Sequence, residues 1–254
     1  SSARRSAAWL VGCALVAGSA IGPLADAAHH DATAHMVVHL LAGMAAPLLL
    51  VLAAPTTLAL RALATVQARR LSRLLRSRLV RVASHPCAAT TLHVGTMWAL
   101  YGTQVGRTAL HDPVLHAFVL LHLVATGSLF AWSLVGVDPS PHRARLGIRV
   151  AALVAGAAAH RILAVHLYAE ADLGATEAAS RVAARVMSAG GDVVELALAI
   201  VLFAQWHRRG ARASGVAPRS DVPGDDRARR RGAAPGRRRT PSVSSRRPRR
   251  PRPT

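Results

Sequence analysis

The sequence predicts an all-α, polytopic transmembrane helix bundle of about six spans, N-in and C-in, followed by a disordered Arg/Pro-rich C-terminal tail. Three observations carry that reading. The apolar residues, 52% of the chain, are mostly Ala, Val and Leu in long blocks, while aromatic residues reach only 4%. That is too few large side chains for the core of a soluble domain of this length. The blocks match the ~20 residues a helix needs to cross the hydrocarbon layer. The basic residues fall mostly between the blocks or after the last one.

The spans read in order as residues 7–25, 35–60, 87–106, 113–136, 147–168 and 185–206. The first follows Arg4 and Arg5, a pattern that signal peptides share with retained spans. The second opens on "HMVVH". The fifth is interrupted by Arg161, and the sixth by Asp192 and Glu195. Cys13 and Cys87 lie in or beside spans and form no CxxC pair, so the cysteines predict neither a disulfide framework nor a thiolate zinc site.

Charge sets the sidedness. Residues 61–81 carry seven Arg and no acid, and residues 138–149 carry Arg143, Arg145 and Arg149. Positive connections stay inside. The alternate connections are nearly neutral or acidic: Arg107 stands against Asp112, and Asp26, Asp31, Glu170, Asp172 and Glu177 stand against Arg181 and Arg185. Every connection agrees with one topology.

The net charge of +20 comes entirely from Arg, and sixteen of the 32 lie after His207. This divides the chain into a transmembrane domain, 1–207, and a basic cytoplasmic tail, 208–254. The tail is too poor in apolar residues to fold, and its charge suits anionic lipid. Nucleic acid is not favoured as its partner, because the charge is not built into a folded surface.

With sidedness fixed, nine of the thirteen histidines fall on the outer side: His29, His30, His35, His39, His111, His116, His122, His160 and His166. His85, His142 and His207 fall inside, and His93 in the inner half of the third span. His35 and His39, four residues apart, share one helix face. His116 with His122, and His166 with His160, descend from the outer ends of two further spans, so the three rows overlap in depth. Met36 and Met44 add thioethers near the first row, although Met36 points off the His35/His39 face. Imidazole and thioether together suit copper, particularly Cu(I); zinc would accept the imidazoles, and a pair of facing histidines could clasp a b-type haem. A lone His93 reads as a satisfied core residue, and His29 and His30 read as loop residues. Arg161, Asp192 and Glu195 share a depth, and pairing among them is the simplest account of charges in a span. No nucleophile–base pair, phosphate loop or paired-carboxylate site stands out, so the chain is not expected to be an enzyme.

The run "SAIGPLADAAHHDATAHMVVHLLAGMAAPLLLVLAAPTTLALRAL" resembles the membrane-embedded CtaG family, assembly factors of caa3-type cytochrome c oxidase, through His35, Met36, His39, Pro47 and Pro55. The segment "HDPVLHAFVLLHLVATGSLFAWSLVGVDPSPHR" is similar to the family's corresponding span through His116, His122, Gly127, Phe130, Trp132 and "GVDP". Weaker likeness lies in "AHRILAVHLY", through His160, and in "LFAQWHRR". Gly190, Gly191 and Asp192 keep part of the family's pattern before its last span, while Arg161 stands where small or apolar residues are usual. The resemblance covers roughly residues 4–209 and favours a retained first span over a signal peptide. It implies a multi-pass protein of a bacterial plasma membrane, with cytochrome c oxidase subunits as partners. Its implied role is in oxidase maturation, helping copper reach the enzyme. The metal residues are then His35, Met36, His39, His116, His122, His160 and His166. Other readings are a haem b electron-transfer protein and a copper transport or resistance protein.

Overall fold

The computed structural model describes residues 2–103, 105–106, 108, 112–136, 143–170 and 176–214. Every regular element among them is helical. Helix α1 spans Ser2–Ala20 and α2 spans Pro23–Ala28. Gly22 between them takes φ 100°, which a side chain would resist, and Pro23 starts α2 where no backbone N–H is needed. Asp31 caps α3, Ala32–Leu40, by accepting from the Ala34 N–H at 2.6 Å.

A π turn, Leu41–Ala45, joins α3 to α4, Ala46–Leu52; the Ala46 N–H reaches back five residues to the Leu41 carbonyl. Pro47 accounts for the widening. It offers no N–H to the carbonyl of Gly43, and in a regular helix its ring would collide with that carbonyl. The direction then breaks at Ala54, which holds φ 58° and ψ 59° before Pro55. A left-handed non-glycine costs about 1–2 kcal/mol, so the expected span over 35–60 stops at Leu52.

Three short helices follow: α5, Pro55–Ala62; α6, Thr65–Leu75; and α7, Arg78–Ala83. The arginine-rich connection expected as a loop is therefore largely helical. On α6, Ala68, Leu71 and Leu75 are spaced to share one half-buried face, while Arg69, Arg70 and Arg73 stay exposed. Helix α8 spans Pro86–Tyr101, α9 Pro113–Val135, α10 Leu146–Glu170 and α11 Glu177–Ser214. Asp112 caps α9, accepting from Val114 and Leu115 at 2.9 and 3.1 Å.

Four stretches among the described residues are long and apolar enough to cross a membrane: Ala32–Leu52, Val114–Val135, Leu146–Glu170 and Glu177–Gly210. They match the second, fourth, fifth and sixth expected spans. The first and third expected spans are helices too. However, α1 carries Arg4 and Arg5 in its first turn, and α8 has 16 residues, a rise of about 24 Å. Helix α11 continues through Ser214, so residues 208–214, expected in the tail, are helical. The rest of the expected tail, 215–254, lies outside the described residues, as do Arg107, His111, Asp138, His142 and Asp172.

Helix α9 packs on α4, on the π turn and on α8, and α8 packs on α10. Small residues allow these approaches, the usual device where lipid gives no hydrophobic drive between helices. Gly127 of α9 sits directly against the Gly43 carbonyl, and Gly156 of α10 sits against the Phe130 ring. The last carbonyls of α9 are satisfied from other helices: buried Arg149 donates to Leu134, Gln205 donates to Val135 at 2.8 Å, and Arg143 donates to Gln205 at 3.1 Å. Val154 and Ile162 on α10, and Leu196 and Ile200 on α11, are about 60% exposed. An apolar exterior of this kind is what a lipid-facing surface requires.

Because the Gly43 carbonyl leaves no room for a Cβ at Gly127, Gly127→Ala should lower stability by about 1–3 kcal/mol. Gly18→Ala, in open space, should not. Unfolding curves of the two variants in mild detergent check this.

Candidate metal centre

Helix α3 carries His35 in its first turn and His39 in its last, and the one-turn spacing brings both toward Tyr101 at the end of α8. The Tyr101 hydroxyl lies 3.3 Å from His35 Nε2, and its ring meets His35 and His39 edge-on at 6.0 and 5.2 Å between centroids. Across the bundle, His160 of α10 faces His39 with the rings nearly parallel, 9° apart and 6.4 Å between centroids. Glu195 of α11 approaches His160 Nδ1 at 3.5 Å.

Two glycines of α11 make this assembly possible. Gly191 lies against the His160 ring and Gly190 against Leu40; a Cβ at either would collide with them. Their place in the sequence gives them their meaning only once α11 is seen to cross α3 and α10 at that point.

The polar accounting of the cluster does not close. Both nitrogens of His39, Nε2 of His160 and Nδ1 of His93 are buried without a hydrogen-bond partner. His39 is 2% exposed and His160 4%. Buried polar atoms are nearly always paired, so a run of open imidazole nitrogens asks for a ligand. With metal–nitrogen bonds of about 2 Å, two imidazoles sharing an ion place their ring centres about 6 Å apart. The His39–His160 centroid distance is of that size, with the ring planes stacked, so a shared ion needs the rings to turn nitrogens toward it. Among the described residues, no three His, Cys, Asp or Glu side chains converge on one point. The imidazole pair therefore fits an ion of low coordination number, and further donors would have to come from other residue types.

The remaining expected ligands are dispersed. His116 stands with His29, ring centroids 5.2 Å apart, where α2 ends and α9 begins, and His30 lies 6.5 Å from His29. His29 and His30 are exposed turn residues, as expected. His122 is exposed, shares a hydrogen bond with Thr96 at 3.1 Å and stacks on Phe118. It lines a groove of about 390 Å³ between α8 and α9. His166 stacks on Trp98 at 5.9 Å. Met36 is buried next to the cluster but off the histidine face.

His93 departs from its expected role. It is 4% exposed and stacks on Phe130 at 5.2 Å, yet its Nδ1 has no partner. It lies two turns below Tyr101 on α8, within electrostatic range of His39 and His160. Sequence reasoning also missed Tyr101, which gives no signal until α8 is docked on α3.

Arg161 donates to Asp192 at 2.9 Å and also to the Ser188 hydroxyl. Both partners are more than half exposed on the bundle exterior. Glu195 is turned to His160 instead, because it falls three residues beyond Asp192 and the helix carries it around to the buried side.

Reversing Arg161 to Glu should lower the amount of protein in the membrane, and adding Asp192→Arg should restore part of it. Adding Glu195→Arg in its place should restore none. Quantitative immunoblots of membranes read all three; equal levels in the two double variants would remove the pairing from the account.

A family model, cytochrome c oxidase caa3 assembly factor, matches residues 1–209. Among curated relatives, the uncharacterised protein ML1998 of Mycobacterium leprae is 27% identical over 152 residues, which is 54% of this chain and 23% of that protein. The uncharacterised proteins Mb0105 of Mycobacterium bovis and MT0111 of Mycobacterium tuberculosis are each 32% identical over 84 residues, 33% of this chain and 13% of theirs. The matched part thus spans less than a quarter of the length of these relatives. No solved structure matches the chain. With helices as the regular elements of the described residues, four stretches long and apolar enough to cross a membrane, and a match over residues 1–209, the chain belongs to the cytochrome c oxidase caa3 assembly factor family.

Proposed function

We propose that the protein is a non-enzymatic assembly factor of a bacterial plasma membrane that holds copper for cytochrome c oxidase at its buried histidines. The observation that carries this reading is the pair of open imidazoles on His39 and His160 inside an otherwise packed helical bundle. Copper is the cargo, and the chain's residues do the holding. His39 and His160 present facing rings, Glu195 fixes the His160 ring through Nδ1 and leaves Nε2 toward the cluster, and Tyr101 orients His35. A carboxylate bonded to the far nitrogen of a ligating histidine sets its tautomer and raises its basicity. His29 and His116, paired where α9 begins, serve as a first landing place. The oxidase is the partner that receives the ion, and anionic lipid holds the arginine-rich tail.

Six membrane passages with both ends in the cytoplasm complete the proposal, the short α8 and the basic-ended α1 acting as the third and first. Reporter fusions after residue 75 and after His207 should both be active only in the cytoplasm. External activity at either point breaks the topology.

Replacing His35 and His39 together by Ala should remove bound copper and oxidase maturation while leaving membrane insertion intact, since each change takes a polar group out of an apolar span. Copper per protein in mild detergent, beside oxidase activity in the same cells, reads the outcome. Full copper and full activity in the double variant would make these histidines packing residues. A Soret band in the purified protein would favour haem over copper.

A further inference from the structure

The chain has four methionines in 254 residues. All four, Met36, Met44, Met97 and Met187, are buried in one apolar cluster. They come from four separate elements: α3, the π turn, α8 and α11. Each stands close in sequence to a residue already placed at the imidazole pair. Met36 precedes His39 by three residues on α3. Met97 is one turn before Tyr101, whose ring touches His39. Met187 is one turn before Gly191, which lies on the His160 ring. Met44 sits in the π turn that directly follows α3, an irregularity often found at functional sites. Leu40, between Met36 and Met44, packs against Gly190 of α11.

Methionine is a common filler of irregular cores. Filling alone does not account for the whole complement of the chain meeting in one cluster beside open imidazole nitrogens. The second cluster, built from Leu48, Phe130, Leu134 and Leu202 among others, contains no methionine.

We infer that the imidazoles of His39 and His160, with thioethers drawn from Met44, Met97 and Met187, form one buried, low-coordinate sulfur–nitrogen site selective for Cu(I). The inference rests on the copper-handling reading above and adds the ligand set and the oxidation state. It supplies the donors that the histidines and carboxylates alone leave missing. Neutral thioethers favour a soft, singly charged ion and add no charge to a buried site, whereas zinc and Cu(II) are better served by imidazole and carboxylate. The ion enters and leaves as Cu(I); bonds to sulfur and nitrogen are exchanged and no electron moves.

Selenomethionine-labelled full-length protein, loaded in detergent with Cu(I) under a chromophoric Cu(I) chelator, tests this without any substitution. All the selenium native to the chain reports on this cluster. Selenium-edge absorption should show a copper neighbour, and copper-edge absorption should show selenium together with nitrogen. In parallel, Met97→Leu with Met187→Leu, a swap that keeps volume, should weaken Cu(I) binding at least tenfold and leave Zn(II) binding unchanged. Copper bound with nitrogen neighbours alone overturns the sulfur site and leaves copper handling standing. Wild-type protein that takes no Cu(I) from the chelator overturns both. Should the double substitution fail to fold, as judged by its melting curve, the selenium measurement decides.

Discussion

Gly190 and Gly191 let the backbone of α11 lie directly on Leu40 and on the His160 ring, and the buried centre depends on that approach. Moving α11 outward by the width of a methyl group would take Glu195 away from His160 and Met187 away from the cluster it shares with Met36 and Met97. The same contact keeps water from the imidazoles, which raises the cost of leaving them unpaired to about 1–3 kcal/mol for each open group. A bundle that bears this cost in several places is poised for something to fill them. The π turn works in the same direction from the other side: Pro47 forces it, and it places Met44 against the cluster while Gly43 offers its carbonyl face to Gly127 of α9.

The two groups of charged residues within the bundle solve different problems. Arg149 is buried and spends its guanidinium on the carbonyl end of α9, where Gln205 helps, so it belongs to the scaffold. Arg161 and Asp192 pair on the exterior of α10 and α11. A pair exposed from the bundle at mid-helix meets either lipid or another protein, and lipid is the poorer host for it.

Much of this was legible in the sequence for reasons that are local. Helices follow from blocks of Ala, Val and Leu, and the shared face of His35 and His39 from their spacing. The Arg161–Asp192 contact could be anticipated from matched depth. What was not legible is tertiary. Glu195 and Asp192 are three residues apart, and depth alone could not tell that one faces Arg161 and the other His160. Tyr101, His93, Met97 and Met187 carry no motif; they gain a role only because α8 and α11 are set against α3 and α10. The break at Ala54 was hidden because its residue type gives no warning of a positive φ.

The histidines divide by what they are asked to do. In the copper-handling reading, exposed His29 and half-buried His116 would hold an ion little better than water does. His39 and His160 are sealed, and an ion between them exchanges its water for donors fixed in place. Such a step from wet to dry ligands runs inward only if the inner donors bind more tightly than the outer ones. Imidazoles at both levels would give little difference between the two, whereas thioethers present at the inner level alone would provide one, and only for an ion that prefers sulfur. In this reading depth and chemical softness increase together along the bundle. The direction of transfer is then written into which residues are buried, with no moving part required to impose it.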